Sequence, residues 1–93
     1  MWFKNHRKEV VAKEVAELPK IIVNTSYGSL EIVDLKRIWV NEYFGTYGLM
    51  YQDSIYKYNC IYWSDYKSQI QVYEKMREKI LDAYNRGDRI VEV

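Results

Sequence analysis

The densest run of apolar positions lies between residues 36 and 63, where β-branched and aromatic residues form segments of strand length. Two turn signals divide this run, Phe44-Gly45-Thr46 and Asp53-Ser54. A glycine such as Gly45 adopts the positive φ that a three-residue hairpin loop needs, and aspartate with serine is typical of turns. The pattern therefore predicts a three-stranded antiparallel meander whose first hairpin has a three-residue loop.

Alternation with a period of two assigns the side chains of this meander to two faces. A three-residue loop places Trp39 opposite Tyr51 and Val40 opposite Met50. The aromatic face then carries Trp39, Tyr43, Tyr47, Leu49, Tyr51, Tyr56, Tyr58, Cys60 and Tyr62. The aliphatic face carries Ile38, Val40, Met50, Ile55, Ile61 and Trp63. Because a solvated face normally alternates apolar with charged residues, both faces are expected to be at least partly covered.

Residues 1–18 have helical spacing instead. Val11, Val15 and Leu18 fall at i, i+4 and i+7, and Pro19 disfavours helix in the residue before it. This pattern predicts an amphipathic N-terminal helix, which either docks on the sheet or reaches out to a partner.

Residues 20–27 and 30–33 are rich in β-branched residues and flank Gly28-Ser29, which predicts a further hairpin ahead of the meander. With residues 20–63 taken together, the expected fold class is α+β, with a mainly antiparallel sheet of about five strands in simple succession. The whole chain is expected to form one domain, since 93 residues fit a single modest core.

A C-terminal helix is predicted over residues 68–86. Ser68 and Gln71 have capping-box spacing, and Gly87 suits the left-handed residue that ends a helix. One apolar stripe at helical spacing comprises Ile70, Tyr73, Met76, Ile80, Leu81 and Tyr84. The helix is therefore expected to pack across the sheet, followed by a short strand or tail over residues 89–93.

Composition and charge exclude several classes of protein. The formal charge is +1, so there is no global field to recruit nucleic acid or an anionic membrane. The single cysteine, Cys60, excludes an intramolecular disulfide and is expected to be a small buried strand residue. No apolar run has the length of a signal peptide or a membrane span, which favours the cytoplasm.

The sequence also contains few residues that carry chemistry. His6 is the only histidine and has no cysteine or carboxylate at ligand spacing. The four glycines are too scattered for a phosphate-binding loop. We therefore expect no catalytic residues, no metal and no cofactor, and a protein that is not an enzyme.

The order of a β meander, then Tyr66-x-Ser68 before a helix, then Asn85-Arg86-Gly87 before a final Ile-Val pair resembles small uncharacterised single-domain proteins of bacterial and prophage or phage genomes. The resemblance covers roughly residues 29–93 and is one of hydrophobic pattern. It implies a compact sheet with one packed helix and an accessory role, with no catalytic residues to transfer.

Ten tyrosines are more than the cross-strand positions of a small sheet require, and tyrosine is enriched at protein interfaces. The expected function is a protein-interaction module that forms a homodimer or binds a heterologous protein. The predicted interaction face comprises Trp39, Tyr43, Tyr51, Tyr56, Tyr58 and Tyr62. The alternative is a single-stranded nucleic-acid or nucleotide binder, in which these rings stack on bases and Arg37, Lys57 and Lys67 contact phosphates.

Overall fold

The computed structural model describes residues 18–53 and 58–93. These residues form β1 (Lys20–Thr25), β2 (Gly28–Val33), β3 (Arg37–Tyr43), β4 (Thr46–Gln52), β5 (Tyr58–Ser64), α1 (Gln69–Arg86) and β6 (Ile90–Glu92). The strands lie in two three-stranded sheets, in the orders β2-β1-β6 and β3-β4-β5. The prediction of one sheet of about five strands is therefore wrong.

The described residues contain a single helix, α1. The predicted helix over residues 1–18 lies outside the described residues except for Leu18, which is not helical. The α+β composition remains, but the arrangement is two sheets and one C-terminal helix.

The first sheet has β1 at its centre, with β2 antiparallel on one side and β6 parallel on the other. Ile21 and Val23 of β1 are fully buried, and their partners Ile32 of β2 and Val91 of β6 are buried beside them. The predicted hairpin over residues 20–33 is thus confirmed, but its turn is Ser26-Tyr27, and Gly28-Ser29, predicted as the turn, belongs to β2. The C-terminal residues do form an edge strand. Because β6 is parallel to β1, the chain must pass through α1 before it returns to this sheet.

A sharp corner between β2 and β3 separates the two sheets. Asp34 has φ 55°, a left-handed conformation that aspartate tolerates better than most residues. Its N–H donates to the carbonyl of Pro19 at 2.6 Å, while the N–H of Lys36 donates to Gln52 at 2.8 Å. The N–H groups of Asp34 and Lys36, only two residues apart, therefore bond to different sheets. This is why the strands do not continue in simple succession.

The second sheet is the predicted meander with a different register. Trp39 lies opposite Met50 and Val40 opposite Leu49, because the first hairpin has a two-residue loop, Phe44-Gly45. Both loop residues have positive φ, 49° and 77°, as the type I′ turn of tight hairpins requires. The predicted loop is one residue too long, and the predicted pairs, Trp39 with Tyr51 and Val40 with Met50, are each shifted by one residue. A shift of one residue moves side chains to the opposite face.

The β4–β5 pair contains a β-bulge. Leu49 pairs with Tyr62 and Met50 with Cys60, so that Ile61 is an extra residue between two pairs. Ile61 is buried, and because of this extra residue Cys60 and Tyr62 lie on opposite faces of the sheet.

Helix α1 packs on β3 and β4 and joins both sheets in one hydrophobic core. The predicted stripe is confirmed: Tyr73 and Ile80 are buried, and the other stripe residues, Ile70, Met76, Leu81 and Tyr84, pack half-buried against the core. Gly87 has φ 82° and ends the helix as predicted. Ser68 makes no side-chain capping hydrogen bond, so the predicted capping box is wrong.

Candidate interaction surface

The second sheet has an inner face toward the core and an outer face away from it. Directly opposed residues of antiparallel strands share a face, so the register assigns every side chain. Ile38, Leu49 and Tyr51 on the inner face are all buried. The outer face comprises Arg37, Trp39, Asn41, Tyr43, Thr46, Gly48, Met50, Gln52, Tyr58, Cys60 and Trp63.

Large aromatic side chains on the outer face and at its hairpin tip are exposed. Tyr43 is 68% exposed, Tyr58 61% and Trp63 66%, and Phe44 in the β3–β4 turn is 89% exposed. Single exposed hydrophobic residues are normal, but several on one sheet face are unusual, because a contiguous apolar patch on a monomer seldom exceeds a few hundred Å².

Three side chains form an ordered cluster at the end of the outer face far from the hairpin tip. The rings of Trp39 and Tyr58 meet edge to face at 5.8 Å and 88°. The guanidinium carbon of Arg37 lies 3.8 Å from the centre of the Trp39 ring. Edge-to-face ring pairs and cation–π contacts each contribute about 0.5–1.5 kcal/mol. The cluster therefore fixes the side chains at this end.

The hairpin tip, Tyr43 and Phe44, holds a second pair of rings. Their centroids are 4.5 Å apart with an interplanar angle of 75°. Both side chains are exposed, so the rings restrain each other without cover from the core.

Between these two ends, Gly48 lies beside two sulfur atoms of the outer face. A Cβ at Gly48 would lie 3.4 Å from Met50 Sδ and 3.5 Å from Cys60 Sγ. The Cys60 thiol donates to the carbonyl of Tyr62 at 3.0 Å, and burial raises the pKa of this thiol. Cys60 is nevertheless exposed as a residue, so the prediction that it is a buried strand residue is wrong.

The structure divides the predicted interaction face. Trp39, Tyr43 and Tyr58 lie together on the outer face, but Tyr51 lies on the inner face and is 8% exposed. Burial, and secondly the negative charge of Asp53, raises the pKa of the Tyr51 phenol. The shift of one residue in register is the reason for the error at Tyr51. Tyr56 lies outside the described residues.

Tyr62 is also on the inner face, where it connects the two sheets. Its hydroxyl accepts a hydrogen bond from the Ser26 N–H at 2.9 Å, and its ring stacks on Tyr73 of α1 at 6.1 Å and 11°. Burial acts to raise the pKa of the Tyr62 phenol, but hydrogen bonds from Ser26 and Thr25 outweigh burial and lower this pKa. The bulge at Ile61 reverses the alternation, which explains why Tyr62 does not share a face with Tyr58 and Cys60.

The prediction missed three residues of the surface, Phe44, Met50 and Trp63. The predicted register places Met50 on the aliphatic face, and a strand without a bulge places Trp63 there. The sequence pattern puts Phe44 in the loop and predicts no further role for it. Gly45 fits the second position of a type I′ turn, but phenylalanine is not among the residues that favour the first position, so the sequence contains no clear signal for a two-residue loop.

The remaining chemistry of the described residues is sparse. Residues 18–53 and 58–93 contain no cluster of three His, Cys, Asp or Glu side chains suited to a metal ion. No helix in that part of the chain is long and apolar enough to cross a membrane.

Comparison of the chain with known protein families, with characterised proteins and with solved structures gives no match. The outer face is therefore the strongest candidate site.

Proposed function

We propose that this protein is a binding module without catalytic activity and that it associates with a second copy of itself through the outer face. The observation that carries the proposal is the exposure of Tyr43, Phe44, Tyr58 and Trp63 along one side of the second sheet. The small size of the protein and its resemblance to small phage and prophage proteins favour an accessory role, in which the protein acts by occupying the binding surface of a partner.

The exposed area suits a contact between two proteins. A large aromatic side chain has about 150–250 Å² to bury, so these four exposed side chains together offer about 600 Å². A stable interface buries about 800 Å² on each partner. Trp39, Met50 and Cys60 lie among the four on the same face and extend the apolar area toward that value.

The charge of the outer face favours a second copy as the partner. In a twofold dimer the same patch lies against itself, so a charge near the axis would face its own copy. Among the described residues of the outer face, Arg37 alone is charged, and its guanidinium already lies over Trp39. A neutral aromatic patch is therefore self-complementary without any like-charge repulsion at its centre.

The test is the molar mass in solution, measured by size-exclusion chromatography with light scattering up to tens of micromolar chain. The wild-type protein is expected at twice the chain mass. Tyr58→Glu is expected to be monomeric, because it replaces an exposed ring of the contact with a charge that association would have to desolvate. The matched control is Tyr66→Glu, at a residue 72% exposed that lies outside the three strands of the outer face. A monomeric wild-type chain, or equal loss in both variants, would contradict self-association.

Binding of single-stranded nucleic acid is the second candidate, because Trp39 and Tyr58 present rings beside the cation Arg37. Aromatic rings on a sheet stack on bases for about 1–3 kcal/mol each, but a nucleic-acid site also neutralises several phosphates. We expect no binding of oligonucleotides at physiological salt in a fluorescence anisotropy titration. Salt-sensitive micromolar binding that Tyr58→Ala abolishes would favour this candidate instead.

A further inference from the structure

We infer that Phe44 is the anchor of the contact between two copies, and that its ring enters a cleft beside Trp63 of the second copy. The inference rests on the proposed self-association and specifies how it occurs. Its three supports are the backbone conformation of Phe44, the geometry of the hairpin tip, and the position of the cleft.

The backbone conformation of Phe44 is unfavourable for its residue type. At φ 49° it is left-handed, which is rare and unfavourable for a bulky residue. Asparagine or glycine is the usual residue at this position of a type I′ turn. The Phe44 side chain is 89% exposed, so the core gains nothing from a phenyl ring here. Strained residues of this kind concentrate at binding sites, and a ligand for the ring would account for its presence.

The hairpin tip presents the Phe44 ring in a restrained form. A two-residue turn fixes the backbone, and Tyr43 contacts the ring edge to face at 4.5 Å. Binding costs less entropy when the anchor is already ordered, and aromatic side chains dominate the energetics of small contacts. The tip therefore has the properties of an anchor that inserts without rearrangement.

An open cleft of about 580 Å³ lies at the β5 edge of the outer face. Its lining is free of charged side chains and consists of Tyr27, Cys60, Ile61, Tyr62 and Trp63. Since Cys60 and Trp63 belong both to the cleft and to the outer face, the cleft is continuous with the proposed interface. Such a neutral aromatic lining suits an apolar ring.

Within one chain the Phe44 ring does not occupy this cleft, since the residue is 89% exposed and is absent from the lining. Cys60 lies opposite Met50, which is four residues along β4 from Thr46 at the hairpin turn. At about 3.4 Å per residue, the tip and the Cys60 side of the cleft are about 13 Å apart. A twofold axis across the outer face would instead place each tip against the cleft of the other copy, so that two rings are inserted.

The first experiment replaces the ring and improves the turn. Phe44→Asn supplies the preferred residue of a type I′ turn, so the hairpin is expected to remain folded while the anchor is removed. We expect the dissociation constant of the dimer, measured by sedimentation equilibrium, to increase at least about thirtyfold, as for the loss of a hot-spot residue. Tyr66→Asn is the matched control and is expected to leave the constant unchanged.

The second experiment locates the tip by cross-linking. The Phe44→Cys variant also lacks the ring, so it is treated with diamide at a chain concentration above its raised dissociation constant. The new thiol and Cys60 of the second copy then lose two protons and two electrons to the reagent and form a disulfide. The same reaction within one chain is excluded, because disulfides require Cα atoms within about 7 Å. Val72→Cys, on an exposed part of α1, is the control with the same number of thiols. We expect covalent dimers only with Phe44→Cys, and their absence after Cys60→Ser.

The outcomes separate this inference from the proposed function. If Tyr58→Glu dissociates the dimer but Phe44→Asn does not, the outer face is an interface and the tip is not its anchor. Equal cross-linking of Phe44→Cys and Val72→Cys would indicate random collision and would also contradict the inference. A monomeric wild-type chain would overturn both proposals.

Discussion

Phe44 is the residue at which local preference and observed structure disagree most. Its left-handed backbone opposes a bulky side chain, and the one ring contact that the described residues give it is with another exposed residue, Tyr43. We predict that Phe44→Asn raises the free energy of unfolding by up to about 1 kcal/mol, because relief of backbone strain exceeds the loss of this contact.

Urea denaturation of dilute, monomeric protein measures this effect. Phe44→Ala is the control, since alanine removes the ring without favouring the left-handed conformation, and should not be more stable than the wild-type protein. A Phe44→Asn variant that is less stable than wild type would show that the ring contributes to the fold of the monomer.

Helix α1 is the element that holds the two sheets together. Its C-terminal half places Ile80, which is fully buried, in the core that both sheets share. Ile80→Ala is expected to lower the free energy of unfolding by about 2–4 kcal/mol, because the cavity that it leaves cannot collapse between two sheets and a helix. Lys79→Ala, at the exposed neighbouring position, is the control in the same denaturation experiment. A loss below about 0.5 kcal/mol for Ile80→Ala would be inconsistent with a core position.

The middle of α1 also covers one sheet edge. Arg77 Nε donates to the carbonyl of Ile38 at 2.9 Å, which satisfies an acceptor of the edge strand β3. Exposed strand edges are where further chains add, so this hydrogen bond removes one free acceptor from the β3 edge.

For the molecule as a whole, the tyrosines of the shared core predict the response to alkaline pH. Burial raises the pKa of both Tyr51 and Tyr73 above the ordinary value of 10.0. The folded protein then binds more protons than the unfolded chain at pH values above about 10, so stability is complete below that pH and falls as pH rises through the folded pKa values. The lowered pKa of Tyr62 acts in the opposite direction.

Unfolding free energies between about pH 8 and about pH 11 measure this dependence. We expect stability to decrease over the upper part of the range, and the decrease to be smaller in Tyr51→Phe, which has no phenol to ionise. An unchanged slope in Tyr51→Phe would contradict the assignment of the effect to this residue.

Much of the local structure was predictable because it depends on neighbouring residues. The stripe that includes Ile80, the helix end at Gly87 and the hairpin around Gly28 all follow from spacing and turn chemistry within a few residues. The aromatic character of the outer face was predictable for the same reason, and Trp39, Tyr43 and Tyr58 do share that face.

The rest of the surface was not predictable because it depends on single-residue details. A loop of two residues in place of three, and one bulge at Ile61, reassign Tyr51, Tyr62, Met50 and Trp63 between the faces. Side chains of a strand alternate between two faces, so a register error of one residue assigns every side chain of the strand to the wrong face. Both details are set by the backbone geometry of Phe44-Gly45 and of the β4–β5 pair.

The sequence by itself determined which segments become strands and where the helix lies, because hydrophobic periodicity and turn residues act locally. The tertiary structure decided that the strands separate at Asp34 into two sheets and that β6 returns beside β1. It also decided which aromatic rings remain outside. These features depend on contacts between residues distant in the chain, such as Lys36 with Gln52 and Ile22 with Arg89, and no local pattern encodes such pairs.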